Sequence, residues 1–170
     1  MIQDSLYNKE NLISLINSSL EELYKKDHYL IDNSPMDWDD KDGKHYVGER
    51  AIVFRFAHYL LSNIEKMGVD PDLSLDCEYN RNGCMNKALP SFPQGVIPDV
   101  IIHKRGSNDK NVLVMEFKTY WNKNQEHDEN KIRELTDQQG KYKYAYGMTV
   151  LIGSDKPIVK LFEDGTEIKI

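Results

Sequence analysis

Residues 96–119 read VIPDVIIHKRGSNDKNVLVMEFKT, and this stretch decides the fold. Residues 96–103 and 111–119 are apolar segments of strand length, each bounded by Gly, Pro or Asn. Between them lies a tip rich in Gly, Ser, Asn and Asp, which is a composition typical of a turn. We therefore expect one antiparallel hairpin centred on Ser107 and Asn108.

Two carboxylates face each other in this predicted hairpin. Symmetric pairing about Ser107 and Asn108 sets Asp99 opposite Glu116. Directly opposed residues have Cβ atoms roughly 4.5 to 5.5 Å apart, and like charges at that spacing repel. The pairing predicts a cation site, because a bound cation would remove the repulsion.

A lysine shares the face of the two carboxylates. Side chains alternate along a strand, so Glu116 and Lys118 point to one face, together with Asp99. Met115 and Phe117 point to the opposite face and enter the core. The alternative is that Glu116 and Lys118 are ordinary residues of a solvated strand face.

The cation that suits this site is Mg²⁺, for which Mn²⁺ can substitute. A hard cation prefers oxygen ligands and usually keeps several waters, so Asp99 and Glu116 suffice as metal ligands. Such an ion could polarise a phosphate and acidify a bound water. Lys118 would then orient the attacking water or stabilise the charge that develops on the phosphoryl oxygens.

The rest of the chain alternates helical and strand-like segments. Apolar periodicity predicts an amphipathic helix at 5–26 and a second helix at 46–67, whereas the Asp-rich residues 31–45 predict a loop. Further segments predict strands at 73–79, 148–152, 158–162 and 167–170, and a third helix at 128–144. The order is helix, three strands, helix and strand, with an extra N-terminal helix and a C-terminal hairpin. This order is typical of an α/β protein built in layers.

The second predicted helix carries an acidic residue on its inner face. Glu49 is in register with Ile52, Val53 and Phe56, which form the apolar stripe. A buried acid needs a partner, so we expect Glu49 to bind the metal directly or through water. The alternative is a first-turn glutamate that the helix dipole stabilises.

The third predicted helix carries Gln138 and Tyr142 one turn apart, which makes them neighbours on one face. They could contact a substrate phosphate or the strand of Glu116 and Lys118. Surfaces rich in Gln and Tyr are also ordinary packing surfaces, so both interpretations stay open.

Composition indicates a soluble globular protein. The chain has 170 residues, of which 39% are hydrophobic and 29% charged, and its mean hydropathy is -0.64. We expect one domain, residues 1–170, without a signal peptide or a membrane-spanning segment, and a cytoplasmic location.

The net charge of -6 argues against a simple polyanion binder, because nonspecific affinity for nucleic acid comes mainly from basic side chains. A metal-loaded acidic site can nevertheless attract phosphate locally. A homo-oligomer or a partner protein could supply the missing positive surface.

Pro98-Asp99 followed by Glu116-Phe117-Lys118 resembles the motif of the PD-(D/E)xK nuclease superfamily. Residues 138–142, QQGKY, are similar to the QxxxY motif of its RecB-like and lambda-exonuclease-like branches. Glu49 resembles the helical glutamate that many members carry. Together these features cover about residues 46–152.

The resemblance implies a restriction-endonuclease-like αβββαβ core, with a central mixed sheet flanked by helices. It also implies metal-dependent hydrolysis of nucleic-acid phosphodiesters, with DNA as the expected substrate. Asp99 and Glu116 would bind Mg²⁺, Lys118 would be the catalytic lysine, and Gln138 and Tyr142 would be accessory. The alternative is a catalytically silent nuclease-fold module that binds DNA or assembles with a protein.

Overall fold

A computed structural model describes residues 5–32, 46–68, 70–122 and 126–170. Most of the loop predicted at 31–45 therefore lies outside the described residues. The helices in these ranges are α1 (Lys9–Lys26), α2 (His28–Ile31), α3 (Glu49–Met67) and α4 (Glu126–Thr136). The strands are β1 (Leu73–Cys77), β2 (Arg81–Asn82), β3 (Met85–Asn86), β4 (Val100–Lys104), β5 (Asn111–Thr119), β6 (Tyr146–Ile152), β7 (Pro157–Glu163) and β8 (Thr166–Ile168).

Six strands form one mixed sheet in the order β1-β4-β5-β6-β7-β8. The β5 and β6 strands run parallel, and the other neighbouring pairs run antiparallel. Two neighbouring strands that run parallel need a crossover between them, and α4 lies in the segment that links β5 to β6. The short strands β2 and β3 form a separate hairpin. The predicted α/β class with a mixed sheet flanked by helices is confirmed.

The two faces of the sheet are covered by different helices. On one face, Met115 and Phe117 of β5 join the buried residues of α1 and α3 in one core cluster. On the other face, Val114 of β5 joins Ile132 and Leu135 of α4 in a second cluster. The alternation predicted for β5 is confirmed, because residues 115 and 117 enter the core opposite the face of Glu116.

The helices α1 and α3 form where apolar periodicity predicts them. The side chain of Asn8 caps α1 by accepting a hydrogen bond from the backbone of Asn11 at 3.0 Å. The α3 helix ends at Gly68, which adopts the left-handed conformation with φ of 66°. Seven of its residues are buried: Ile52, Val53, Phe56, Ala57, Tyr59, Leu60 and Ile64.

The third helix is shorter than the predicted 128–144. The α4 helix ends at Thr136, and residues 137–140 form a turn in which Gly140 N donates to Asp137 O at 3.0 Å. The Asp137 side chain also accepts from Gln139 N at 2.8 Å, which gives the backbone an alternative to the helix. Glycine is a poor helix former, so Gly140 favours the same outcome. Gln138 and Tyr142 therefore lie outside a helix, and the prediction that they share a helix face was wrong.

No helix within the described ranges is long and apolar enough to cross a membrane.

Candidate active site

The central hairpin brings Asp99 and Glu116 together. Val100 pairs with Met115, so continuing this register by one residue places Asp99 across from Glu116. Asp99 directly precedes β4, and its Oδ2 accepts a hydrogen bond from the backbone N–H of Phe117 at 2.6 Å. The pairing inferred about Ser107 and Asn108 matches the register from Val100 to Ile102. Nearer the tip the register shifts between Ile102 and His103, so that His103 pairs with Asn111.

Glu116 is buried, and only one of its two carboxyl oxygens has a polar partner among the described residues. Its side chain is 3% exposed, and its Oε2 lies 2.8 Å from Lys131 Nζ of α4. Its Oε1 is buried and has no hydrogen-bond partner among the described residues. Burial, reinforced by the charge of Asp99, raises the pKa of Glu116 to about 8, although Lys131 acts in the opposite direction.

The pKa of Asp99 is also raised. Burial is the main cause that raises its pKa to about 6, and the charge of Glu49 adds to the effect. The hydrogen bond from Phe117 and the charges of Lys118 and Lys131 oppose the rise. The surroundings of these two neighbouring carboxyl groups therefore favour their neutral forms, mainly because both groups are buried.

Lys118 lies between acids from two helices. Its Nζ is 3.0 Å from Asp128 Oδ2 and 3.5 Å from Glu49 Oε1, and it donates to Phe117 O at 3.2 Å. Burial alone would lower the pKa of Lys118, but Asp128 and Glu49 raise it above its ordinary value. Lys118 is therefore a charged ammonium whose position is set by α3 and α4 together.

Glu49 reaches the site from the first turn of α3. It is the first residue of the helix, where the dipole favours a carboxylate. It also approaches Lys118 with Oε1, and its Oε2 is buried without a hydrogen-bond partner in the described chain. Glu49 thus offers the site a second free carboxylate oxygen.

The α4 helix contributes Asp128 and Lys131, neither of which was predicted from the sequence as a member of the acidic site. Both side chains are nearly buried, and Lys131 Nζ lies 2.8 Å from Asp128 Oδ1. Asp128 thereby links Lys131 to Lys118. A signal was present, because Asp128, Lys131, Ile132 and Leu135 follow the i, i+3, i+4, i+7 spacing of an inward face. Charged residues on such a face indicate a buried ion pair or a functional site.

Gln138 and Tyr142 are not brought to these carboxylates. Gln138 Nε2 donates to the backbone oxygens of Thr136 at 2.9 Å and Tyr144 at 3.2 Å. The Tyr142 hydroxyl accepts from Ala88 N at 2.9 Å and donates to Ala88 O at 3.0 Å. The Gln138 side chain thus bonds within the end of α4 and the segment that follows it, whereas the Tyr142 side chain joins that segment to Ala88.

The assembled site is a carboxylate–lysine cluster with excess negative charge. It consists of four carboxyl groups and two ammonium groups: Glu49, Asp99, Glu116, Asp128, Lys118 and Lys131. Full ionisation leaves two negative charges that no lysine of the cluster balances. A divalent cation would supply the missing charge.

The described residues do not form a complete site for such a cation, but they can supply part of its ligands. Within the described ranges, no three His, Cys, Asp or Glu side chains are grouped so as to hold a metal ion by themselves. Mg²⁺ is commonly bound by one or two carboxylates together with waters and substrate phosphates, which is a smaller demand on the protein. The unpartnered Oε1 of Glu116, close to Asp99, meets that demand.

A cleft leads to the cluster from one side. It has a volume of about 440 Å³, and its lining includes Glu49 and Asp99 together with Phe54 and Ile97. Phe54 is 65% exposed and Ile97 is 53% exposed. A substrate could therefore meet the acids directly and contact apolar side chains beside them.

No protein-family model matches the chain, and no curated protein matches its sequence significantly.

Proposed function

We propose that this protein is a metal-dependent nuclease that hydrolyses phosphodiester bonds of nucleic acid, with DNA as the substrate to test first. The observation that carries the proposal is the meeting of Asp99 and Glu116 beside Lys118. The excess negative charge of the cluster and the adjoining cleft support it further.

The order of elements around the cluster is consistent with a restriction-endonuclease-like core. With the small β2–β3 hairpin set aside, α3, β1, β4, β5, α4 and β6 follow one another as αβββαβ. The α1 helix and the β7–β8 hairpin are additions at the two ends. This agreement supports the proposed relationship to PD-(D/E)xK nucleases and the corresponding roles of Asp99, Glu116 and Lys118.

Each residue of the cluster has a distinct proposed role. Asp99 and Glu116 would hold the metal, which would supply Lewis-acid chemistry to the phosphodiester. Glu49 adds a ligand, directly or through water. Lys118, held by Asp128 and Glu49, places positive charge where it orients a water and stabilises the oxygens of the transition state.

Cleavage assays test the proposal. Purified protein is incubated with circular, linear double-stranded and single-stranded DNA, and with RNA, in Mg²⁺, Mn²⁺ or chelator. We expect cleavage that requires the metal. Lys118→Met and Glu116→Gln should each lower the rate by about 10²- to 10³-fold, as the loss of one transition-state contact commonly does.

The matched control is Lys156→Met, which removes the same charge at an exposed position and should leave the rate unchanged. Absence of metal-dependent cleavage on all four substrates would contradict the proposal. Equal activity of the Lys118→Met and Lys156→Met variants would contradict the role of Lys118.

A catalytically silent binding module is the second candidate, and one contact favours it. Lys131 already provides Glu116 with a cation at 2.8 Å, so the site can be neutralised in part without metal. Titration with DNA separates the two functions. Binding that is equally tight with and without metal, and unchanged in Asp99→Ala, would favour the silent module.

A further inference from the structure

A buried lysine lies away from the carboxylate–lysine cluster, in the segment between β3 and β4. Lys87 is 2% exposed, and its Nζ donates a hydrogen bond to the Tyr144 hydroxyl at 3.0 Å. The same Nζ lies 4.9 Å from the ring centre of Tyr142, 5.2 Å from that of Tyr144 and 6.0 Å from that of Tyr79. The tyrosines hold the ammonium in one place and stabilise it through their ring faces.

Lys87 has no carboxylate partner among the described residues. Asp76, an acid close to this region, is engaged elsewhere: it accepts from His103 Nε2 at 3.0 Å and from Arg105 Nε at 2.8 Å. A buried ammonium without a counter-ion is costly, and burial lowers the pKa of Lys87 to about 8. Two of its three N–H donors have no hydrogen-bond acceptor in the described ranges.

Lys87 is one of the residues that line a cleft of about 190 Å³ beside the β2–β3 hairpin. The lining also includes Arg81, Ser107, Asn82 and Asn108. Asn108 Nδ2 donates to Asn82 Oδ1 at 3.0 Å, and Ser107 Oγ accepts from Asp109 N at 3.0 Å, which leaves the Asn82 amide N–H groups and the Ser107 hydroxyl proton as donors. Among the described residues, none that lines the cleft is acidic, although the chain as a whole has a net charge of -6. The volume is far above the roughly 10 to 15 Å³ that one water needs.

We propose that this cleft is an anion site that takes a phosphoryl group, with Lys87 as the buried charge and Arg81 as the exposed one. A phosphoryl group carries several strong acceptors and negative charge, which matches a cleft of cations, hydroxyl and amide donors without a carboxylate. The proposal does not depend on nuclease activity.

The cleft and the carboxylate–lysine cluster lie on the same face of the sheet. His103, which lines the cleft, is four residues from Asp99, so their side chains alternate to the same side of β4. Four residues of strand correspond to about 13 Å. The phosphoryl group can therefore come from a nucleic-acid strand that also reaches the cluster, or from a small free phosphate.

Calorimetric titration of the full chain with inorganic phosphate, at pH 7 in chelator, tests the site without metal or cleavage. We expect saturable binding that chloride and acetate at equal ionic strength do not reproduce. Lys87→Met should weaken phosphate binding at least about tenfold, because it removes a charge-assisted hydrogen bond. Lys141→Met is the matched control: its Nζ lies 5.7 Å from the Tyr142 ring, outside the cleft, and binding should be unchanged.

Two further variants keep the test decisive if Lys87→Met does not fold. Arg81→Gln changes an exposed residue and should weaken binding several-fold, and Ser107→Asp should abolish it by placing a carboxylate in the lining. Undetectable phosphate binding, acetate binding as tight as phosphate binding, or unchanged binding in these variants would each overturn the proposal.

An oligonucleotide without terminal phosphates distinguishes the two sources. If it binds in chelator and competes with inorganic phosphate, and Lys87→Met weakens both, the site takes a phosphodiester of a strand. If inorganic phosphate binds and the oligonucleotide does not compete, the site takes a free phosphate. Because no cleavage is measured, loss of nuclease activity cannot mimic either result.

Discussion

The ion pair of Glu116 with Lys131 explains how a carboxylate is held in the interior of the sheet. Lys131 contacts both Glu116 and Asp128 at 2.8 Å, and both acids are nearly buried. Removing one partner from a buried pair leaves an uncompensated charge, which costs more than the pair itself contributes. The lysine is therefore a structural requirement of the site as well as a neighbour of the proposed metal.

Above about pH 8, where the Glu116 carboxyl is ionised, we expect Lys131→Met to lower the free energy of unfolding by about 3 kcal/mol, at the lower end for a broken buried pair. Adding Glu116→Gln should restore part of the loss, because the double variant no longer buries an unpaired carboxylate. Urea denaturation with unchanged m value measures both effects.

Lys160→Met is the matched control for this prediction. Lys160 pairs with Glu129 at 2.7 Å, but its side chain is 36% exposed, so the loss should be at most about 1 kcal/mol. Two results would contradict the energetic coupling of Glu116 with Lys131. Either Lys131→Met and Lys160→Met lower the free energy of unfolding equally, or the effects of Lys131→Met and Glu116→Gln on it simply add.

The position of α4 decides whether Asp128 and Lys131 reach the cluster. Gly147 of β6 allows the helix to approach: a Cβ there would lie 2.5 Å from Ile132 Cγ2 and 2.7 Å from Thr136 Cγ2. No ordinary carbon contact is that short, so a side chain at 147 must push the helix away. The close approach is therefore a property of the strand as much as of the helix.

We expect Gly147→Ala to destabilise the protein by about 1 to 3 kcal/mol, as overpacking of a core does. The proposed nuclease rate should fall with it, because α4 would carry Asp128 away from Lys118. Thr136→Ser removes one clashing methyl and keeps the hydroxyl that donates to Ile132 O at 2.8 Å. The double variant should therefore recover part of both losses, and a rate that stays normal in Gly147→Ala would contradict the importance of this spacing.

The sequence was most informative where an apolar pattern is bounded by residues that favour turns. The β5 strand spans residues 111–119 as predicted, because an apolar run begins at Val112 after Asn111 and Phe117 continues it past Glu116. The end of α4 was not predictable from apolar spacing, since Leu135 and Tyr142 are both buried, but Leu135 belongs to the helix and Tyr142 lies beyond the turn that follows it. The Asp137 side chain accepts a hydrogen bond from the backbone of Gln139, and this bond competes with continuation of α4 beyond Thr136.

The site was predictable only in part for a related reason. Strand alternation and hairpin symmetry place Asp99, Glu116 and Lys118, because these are short-range rules. The contacts of Lys131 with Glu116 and of Lys87 with Tyr144 join residues from separate elements, so they depend on how the layers pack. No local pattern specifies that packing.

Charge is distributed unevenly over the molecule. The chain carries a net charge of -6, the carboxylate–lysine cluster has an excess of acids, and the cleft of Lys87 contains none. Charged clefts concentrate ions of opposite sign far more than net charge does. The cleft of Lys87 and the proposed metal can therefore attract a polyanion locally, although the net charge of the protein repels it.

Metal binding should be visible in the stability of the whole protein. A ligand that binds only the folded state stabilises it by RT ln(1 + [L]/Kd), which is about 1.4 kcal/mol at tenfold excess over Kd. For a chain of this length, that corresponds to a rise in Tm of about 3 to 6 °C. We expect such a rise with Mg²⁺ in the native protein, its reversal by chelator, and its loss in Asp99→Asn.

Screening of the negative net charge also stabilises an acidic protein, so the comparison must be made against NaCl of equal ionic strength. Asp109→Asn is the matched variant, because Asp109 is an exposed acid in the turn before β5, outside the cluster. It should keep the full response to Mg²⁺. A rise of equal size in Asp99→Asn, or with NaCl alone, would mean that the cation acts on the protein surface and that Asp99 and Glu116 do not hold it.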